Sequence, residues 1–337
     1  MNAPPSVAFA VGPLLALGKG MPDSPFHHGE RLLQERAQVR DRMERFGSRV
    51  IRPALPEQHR EFYGLLPFLV IGAVDPEGRP WASLLAGPPG FVSSPTPTAL
   101  RVAAEPDAGD PIRRALVPGA RAGVLGIDPA TRRRNRVNGR LVANAGEGLA
   151  LRVEQSFGNC PQYIHQRRMR PGLHPAEPQW SDATLGDEAV RAWIHGADTF
   201  FIASSWDEDA EDPTHGVDVS HRGGRPGFVR VEDDGALLFP DFSGNNHFNT
   251  LGNLLMNPRC GLVFADFVRG DLLSLTGRAE VFVDHPDLPA LRGAQRIVRV
   301  EIDGVRVGRG TLPFVYEDEE PWPLAVRTGV WSDVAAG

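Results

Sequence analysis

The chain has 337 residues, 41% of them hydrophobic and 23% charged, with a formal net charge of −6. That length exceeds one compact core and fits two domains of about 150 residues each, and its apolar content excludes a disordered chain. The mild acidity and the lack of a Lys/Arg block exclude a nucleic-acid scaffold, while two cysteines, Cys160 and Cys260, cannot make a disulfide framework or a zinc site and suit a reducing cytoplasm.

Residues 1–23 are expected to form a disordered tail. The apolar run Val7–Leu17 is broken by Gly12 and Pro13, is too short to span a bilayer, and lacks the basic start of a signal peptide, so no membrane segment is expected. Met21 is a candidate start, because patterning begins just after it. Glu30–Phe46 reads as a surface helix and a second helix follows Pro56. Phe68–Val74, Ala99–Ala103, Ala122–Ile127 and Gly139–Ala143 read as strands of an antiparallel sandwich or barrel, followed by a helix over Pro161–Met169. Pro171–Ser181 is the expected linker between a first domain, 24–170, and a second, 182–337. A helix at Asp187–His195 leads into a second strand series.

The two series are one pattern written twice. Phe68-Leu-Val-Ile-Gly-Ala-Val-Asp75 matches Phe200-Phe-Ile-Ala-Ser-Ser-Trp-Asp207. After a short insertion, Ser83/Ser220, Gly87/Gly224 and a shared Pro-Gly-Phe align, and further on Asp128/Asp266 and Gly139/Gly277 do. A nearly constant offset through all of these points to a tandem duplication.

The difference between the copies locates the chemistry. In copy two, a loop of Gly and small polar residues ends in a short helix from about Phe248 to Met256, with Asn245 or Asn246 as candidate cap and Asn249 and Thr250 in its first turn. A helix N-terminus offers free N–H groups and partial positive charge, which suits a phosphate. In copy one Pro111 replaces Asn249 and Asp110 adds a repelling charge. One complete phosphate site per chain is therefore expected, in copy two.

Gly78-Arg-Pro-Trp-Ala-Ser83, Arg132-Arg-Arg-Asn-Arg-Val-Asn-Gly139, Ser156–Ile164, Arg225-Pro-Gly-Phe228 and Pro240–Asn253 stand in an order and spacing that resembles the pyridoxamine 5′-phosphate oxidase-like family of flavin-binding split β-barrel proteins, in its long, duplicated form. The resemblance implies a mainly β (α+β) fold: two tandem six-stranded antiparallel split barrels with short peripheral helices, packed as a pseudo-dimer with FMN at their interface. It implies that Gly227, Phe228, Val229 and Arg230 run along the flavin ring, that Pro240, Asp241 and Asn245 belong to the same site, and that Asn249 and Thr250 hold the phosphate. The family's basic pair is replaced by these two neutral residues, so arginines from elsewhere are required. Arg132, Arg134 and Arg136 share one strand face by period-two alternation and are the candidates, with Arg134 and Arg136 taken into the site. Asn159 and Gln162 are the plausible flavin contacts from the partner barrel.

The implied activity is that of an FMN-dependent oxidoreductase, in which the flavin and no side chain performs the chemistry. Hydride would come from NAD(P)H or a small organic substrate, with Ser220, His221, Arg222 and Trp81 on the substrate side and a homodimer possible. Rival expectations are a non-catalytic electron-transfer module and a haem protein, for which His221 or His247 would be the axial ligand. His215 and Asp218 share the loop and strand of Ser220, and Trp331 is a second stacking candidate. His27, His28 and Glu30 lie too close in sequence to make a metal site and read as capping or substrate-facing residues. Cys160 and Cys260 read as small hydrophobes, Cys260 within a strand.

Overall fold

The computed structural model describes residues 24–142, 148–172 and 177–335. The expected tail, Met21, Ala143 and part of the expected linker lie outside these residues. Within them the chain is mainly β, with antiparallel sheets and short helices.

The expected first helix is two, α1 (His28–Arg36) and α2 (Arg40–Val50). Between them Gln38 takes a left-handed backbone, φ 56°, which an L-residue cannot continue as helix. Glu30 and His27 form a capping box at the start of α1: Glu30 Oε2 accepts the His27 N–H at 2.8 Å and His27 Nδ1 accepts the Gly29 N–H at 3.2 Å. Helix α3 (Glu57–Gly64) follows Pro56 as expected.

Strands β1 (Phe68–Val74), β2 (Pro80–Ala86), β3 (Val92–Thr96), β4 (Ala99–Val102), β5 (Arg121–Asp128), β6 (Arg133–Val142) and β7 (Leu149–Gly158) form one antiparallel sheet in the order β2-β1-β5-β6-β7-β4-β3. After β8 (Gln166–Pro171), β9 (Gln179–Ala183) and α4 (Glu188–Gly196), a second sheet is built. Its strands are β10 (Thr199–Trp206), β11 (Gly216–Gly223), β12 (Arg230–Val231), β13 (Ala236–Phe242), β14 (Arg259–Asp266), β15 (Asp271–Phe282) and β16 (Ala294–Arg309), in the order β11-β10-β14-β15-β16-β13-β12 with β9 added on β16. Strand for strand the two orders coincide. The expected six strands per copy become seven and eight, and neither hydrogen-bonded path closes on itself among the described residues.

The ladders shift one sequence match. Phe68 pairs with Ala86 and Thr199 with Gly223, so β1 corresponds to β10 with Phe68 opposite Thr199 rather than Phe200. Both strands are buried on both faces, so neither carries the period-two pattern that would set register from sequence. One face of each strand feeds its own core, Leu69 and Ile71 in the first half, Phe200 and Ile202 in the second. The other face, with Phe68, Val70, Phe201 and Ala203, forms a third core between the halves.

Packing across that interface is reciprocal. A Cβ on Gly123 would meet the Val217 carbonyl at 2.6 Å, and one on Gly261 would meet the Pro80 carbonyl at 2.4 Å. Each half thus lays its edge strand, β11 or β2, against a glycine of the other.

One expectation fails after β7. Pro161–Met169 is not helical: Tyr163 has φ 66°, and Gln166–Pro171 pairs as β8 with β17 (Phe314–Glu320), a partner too distant in sequence for local patterning to show. Strand β9 begins within the last residues of the expected linker, and Trp180 helps seat it by packing over Gly109 and Gly308. At the C-terminus α6 (Trp331–Ala335) covers β13 through Trp331, Leu238 and Ile297.

Candidate functional site

A cleft opens where β6 of the first half faces β11, β13 and the start of α5 (Asn249–Met256) of the second. Alternation puts Arg134, Arg136 and Asn138 on one face of β6, and each finds a partner on β11. Asn138 Nδ2 donates to Asp218 Oδ1 at 2.7 Å, and Arg136 Nη1 donates to the same oxygen at 3.0 Å. Arg136 Nη2 also bonds Ser220 Oγ, its Nη1 reaches Asn249 Oδ1 at 2.7 Å, and its guanidinium lies over the Phe157 ring. Thr250 Oγ1 donates to Ser220 Oγ at 2.9 Å, which closes this end around the first turn of α5.

The opposite end is built on Arg134, whose Nε donates to the Cys160 carbonyl at 2.7 Å and whose Nη1 donates to His221 Nδ1 at 3.1 Å. Burial, with Arg134 beside it, holds His221 far below the usual imidazole range. The ring is therefore neutral and its hydrogen sits on Nε2. Burial, reinforced by Arg136 and Arg222, lowers Arg134 to about 10. The third wall is a triad in which Asp241 accepts from Arg222 at 2.5 Å and from Arg296 at 3.0 Å, with Arg296 also lying over Phe248. Tyr163 stacks on Phe242 at 5.6 Å and donates to the Ser243 carbonyl.

Four arginines and one carboxylate line the cleft, which gives it a net positive lining. Among the described residues, three buried donors on its walls have no partner: Arg136 Nε, Arg222 Nε and Asn159 Nδ2. Unsatisfied buried donors are costly and mark a missing acceptor. Helix α5 adds to them, since its N-cap is Phe248 at φ 64° with no side-chain cap, leaving the first-turn N–H groups to a ligand. The expected cap Asn245 instead accepts the His247 N–H at 3.1 Å and donates to Asn159 Oδ1 at 3.5 Å.

Of the residues expected from sequence, Phe228, Pro240, Asp241, Asn245, Asn249, Thr250, Asn159, Gln162, Arg134, Arg136, Ser220, His221 and Arg222 all line this cleft. Gly227, Val229, Arg230 and Trp81 do not. The Gly227 N–H is taken by the His195 carbonyl and its own carbonyl by the Trp331 N–H. Val229 is in the second-half core, and Arg230 covers the Trp331 ring at 3.9 Å on the outside of β13. Strand β12 is two residues long, and Trp331 of α6 donates to the Gly227 and Phe228 carbonyls just before it. Trp81 belongs to the first-half core and donates to Asp75 Oδ2 at 3.0 Å. His215 lies outside the cleft, its carbonyl bonded to Arg121. His247 is enclosed by Phe26, Phe46 and Phe157, away from the cleft, and Cys260 is buried in the second core with its thiol pushed up by burial. Cys160 is partly exposed and precedes a turn rather than a helix. Sequence reasoning missed Arg296, Phe248 and Tyr163 as wall residues, and the acid Glu30 behind Asn249, because no local motif marks them.

Residues 187–319 match the profile of the pyridoxamine 5′-phosphate oxidase family, a segment that includes β11, β13 and α5. Among solved structures, HupZ from Group A Streptococcus is similar at 10% identity, covering 35% of this chain and 91% of that one, with a TM-score of 0.28. The FAD binding protein from Mycobacterium smegmatis is similar at 14% identity, covering 39% of this chain and 97% of that one, with a TM-score of 0.25. No curated protein matches in sequence. Among the described residues no helix is long and apolar enough to cross a membrane. The likeness to the pyridoxamine 5′-phosphate oxidase family thus rests on residues 187–319, less than half of the chain.

Proposed function

We propose that this chain is an FMN-dependent oxidoreductase made of two tandem copies of one split-barrel unit, with one cofactor site per chain. The observation that carries the reading is the uncapped start of α5 beside Arg136, with unpartnered donors on Arg136, Arg222 and Asn159. That donor set fits a phosphate monoester followed by a polar chain. When bound, the flavin supplies hydride or electron transfer.

The chain's own residues bind and orient it. The first-turn N–H groups of α5, Thr250 and Arg136 hold the phosphate. Asn159 and Gln162 offer hydrogen bonds from the first half, and Arg134 places fixed positive charge beside the neutral His221. Arg222 and Arg296, tied to Asp241, face the mouth, where a small organic substrate or a reduced nicotinamide enters. A mononucleotide is favoured over a dinucleotide because the α5 end of the cleft is closed by buried Asp218, Asn253 and Thr250, so a chain cannot continue past the phosphate there.

Coincident strand orders and the reciprocal glycine contacts support the tandem reading. The single site follows from what occupies the corresponding positions. Leu84 stands for His221, Leu85 for Arg222, Leu272 for Arg134, Ser274 for Arg136 and Pro111 for Asn249, while Asp110 adds a buried carboxyl.

The test is the absorption spectrum of the purified protein, with cofactor release by heat and titration with FMN, FAD and riboflavin. FMN is expected to bind far more tightly than riboflavin, which lacks the phosphate. A colourless protein that binds none of the three overturns the reading, and NAD(P)H oxidation by the loaded protein separates an enzyme from a passive electron carrier.

A further inference from the structure

Glu30 is a buried acid that the proposed chemistry does not use. It reaches the second half because α1 and α5 cross at glycines: a Cβ on Gly29 would meet the Gly252 carbonyl at 2.2 Å, and one on Gly252 would meet Glu30 Cγ at 2.7 Å. At that crossing Glu30 Oε1 accepts from Asn249 Nδ2, while Oε2 accepts the His27 N–H at 2.8 Å. Asn249 is thereby oriented with its amide nitrogen on Glu30 and its oxygen on Arg136 Nη1 at 2.7 Å.

We propose that Glu30 is a positioning residue of the anion site: through the Asn249 amide it fixes the Arg136 guanidinium beside the start of α5. This rests on the anion site argued above. It also changes the role of Asn249, whose side chain is committed at both ends and holds Arg136 rather than the ligand. Around Glu30 stand His27 on its own turn, Arg136 from β6 and Asp218 from β11, with Asn249, Gly252 and Asn253 on α5. Burial, reinforced by the charge of Asp218, raises the Glu30 pKa well above the usual carboxylate range.

Glu30→Gln tests this, because Gln still serves a capping box and fills the same volume but turns one of the two acceptors into a donor. With the cap kept on His27, the amide NH2 faces Asn249 and can no longer hold its nitrogen. FMN is titrated into the full-length apo-protein by flavin fluorescence, and inorganic phosphate is read separately by its shift of the thermal midpoint. Glu30→Gln is expected to weaken FMN binding about tenfold, as loss of a hydrogen bond to a charged group would. Asn249→Ala is expected to do the same, and the double variant to be no weaker than Asn249→Ala alone. Wild-type affinity in Glu30→Gln, or fully additive losses, overturns the proposal. Should Glu30→Gln fail to fold, Glu30→Met repeats the test without an acceptor. If the wild type responds to phosphate but not to FMN, and Glu30→Gln loses that response, the cofactor reading falls and this inference stands. If neither probe binds the wild type, both fall.

Discussion

Arg136 carries a buried charge that, among the described residues, Asp218 alone compensates with an ion pair, and the pair is tied into Ser220, Asn138 and Asn249. Removing one member of a buried pair leaves the other uncompensated, at about 3–5 kcal/mol. Arg136→Met is therefore expected to lower stability by that order and abolish phosphate-dependent binding. Adding Asp218→Asn should restore much of the stability in urea unfolding but none of the binding. Recovery of FMN affinity in the double variant would show that Arg136 does not hold the anion.

Asp110 offers a residue-scale test by pH. It accepts from Ser83 Oγ and from the Ile112 N–H at 3.0 Å, yet burial lifts its pKa to about 7. In the unfolded chain it titrates near its usual 3.8. Between these two values the native state keeps a proton that the unfolded chain has released, so stability falls as pH rises through that window and stays lower above it. The fall is of order 2–4 kcal/mol. Asp110→Asn keeps the acceptor for the Ile112 N–H, turns the other contact into a donor to Ser83 Oγ, and should flatten this part of the profile, compared by urea unfolding at pH 5 and pH 8. An unchanged profile would mean that Asp110 is ionised in the native protein.

Among the elements, α1 and α5 matter most, because their crossing leaves no room for a methyl group. Gly252→Ala places a Cβ against the Glu30 main chain and side chain and must push the helices apart. The expected cost is about 1–3 kcal/mol, as for overpacking elsewhere, together with weaker FMN binding. Thermal melting and FMN titration of this variant check both, and a stable variant with wild-type affinity would separate the crossing from the site. The start of α5 itself was legible from its Gly and small polar run, but its entry was not. Phe248 in a left-handed conformation at the cap is held by its contacts, with Arg296 over its ring, and not by any residue preference.

For the whole molecule, the arrangement predicts asymmetry: two halves of like topology with two related positions between them, one lined with arginines and the other with leucines and an acid. Isothermal titration is expected to give one FMN per chain. Two equivalent sites per chain would contradict the reading of Leu84, Leu85, Leu272 and Asp110 as the counterparts of a lost site. A first half without its own anion site still serves the second, supplying Arg134, Arg136, Asn159 and Gln162 to one wall.

The two strand series, their matching Ser, Gly and Pro-Gly-Phe positions, the helix after Pro56 and the polar first turn of α5 were readable along the chain. All of these are local in origin: turn residues, periodicity and missing caps act over a few residues. The sequence also named most of the cleft, because alternation on β6 and β11 is a property of each strand alone. Which of those faces meet was set by long-range packing. Arg136 finds Asn249, and Glu30 reaches it from the far side, through helix and sheet packing that no short window contains. The same packing tied the Gly227 and Phe228 carbonyls to Trp331 of α6, buried Trp81 in the first-half core, and paired β8 with β17. Register between two doubly buried strands, β1 and β10, was likewise left to the ladders, since residues apolar on both faces carry no signal of which way each one points.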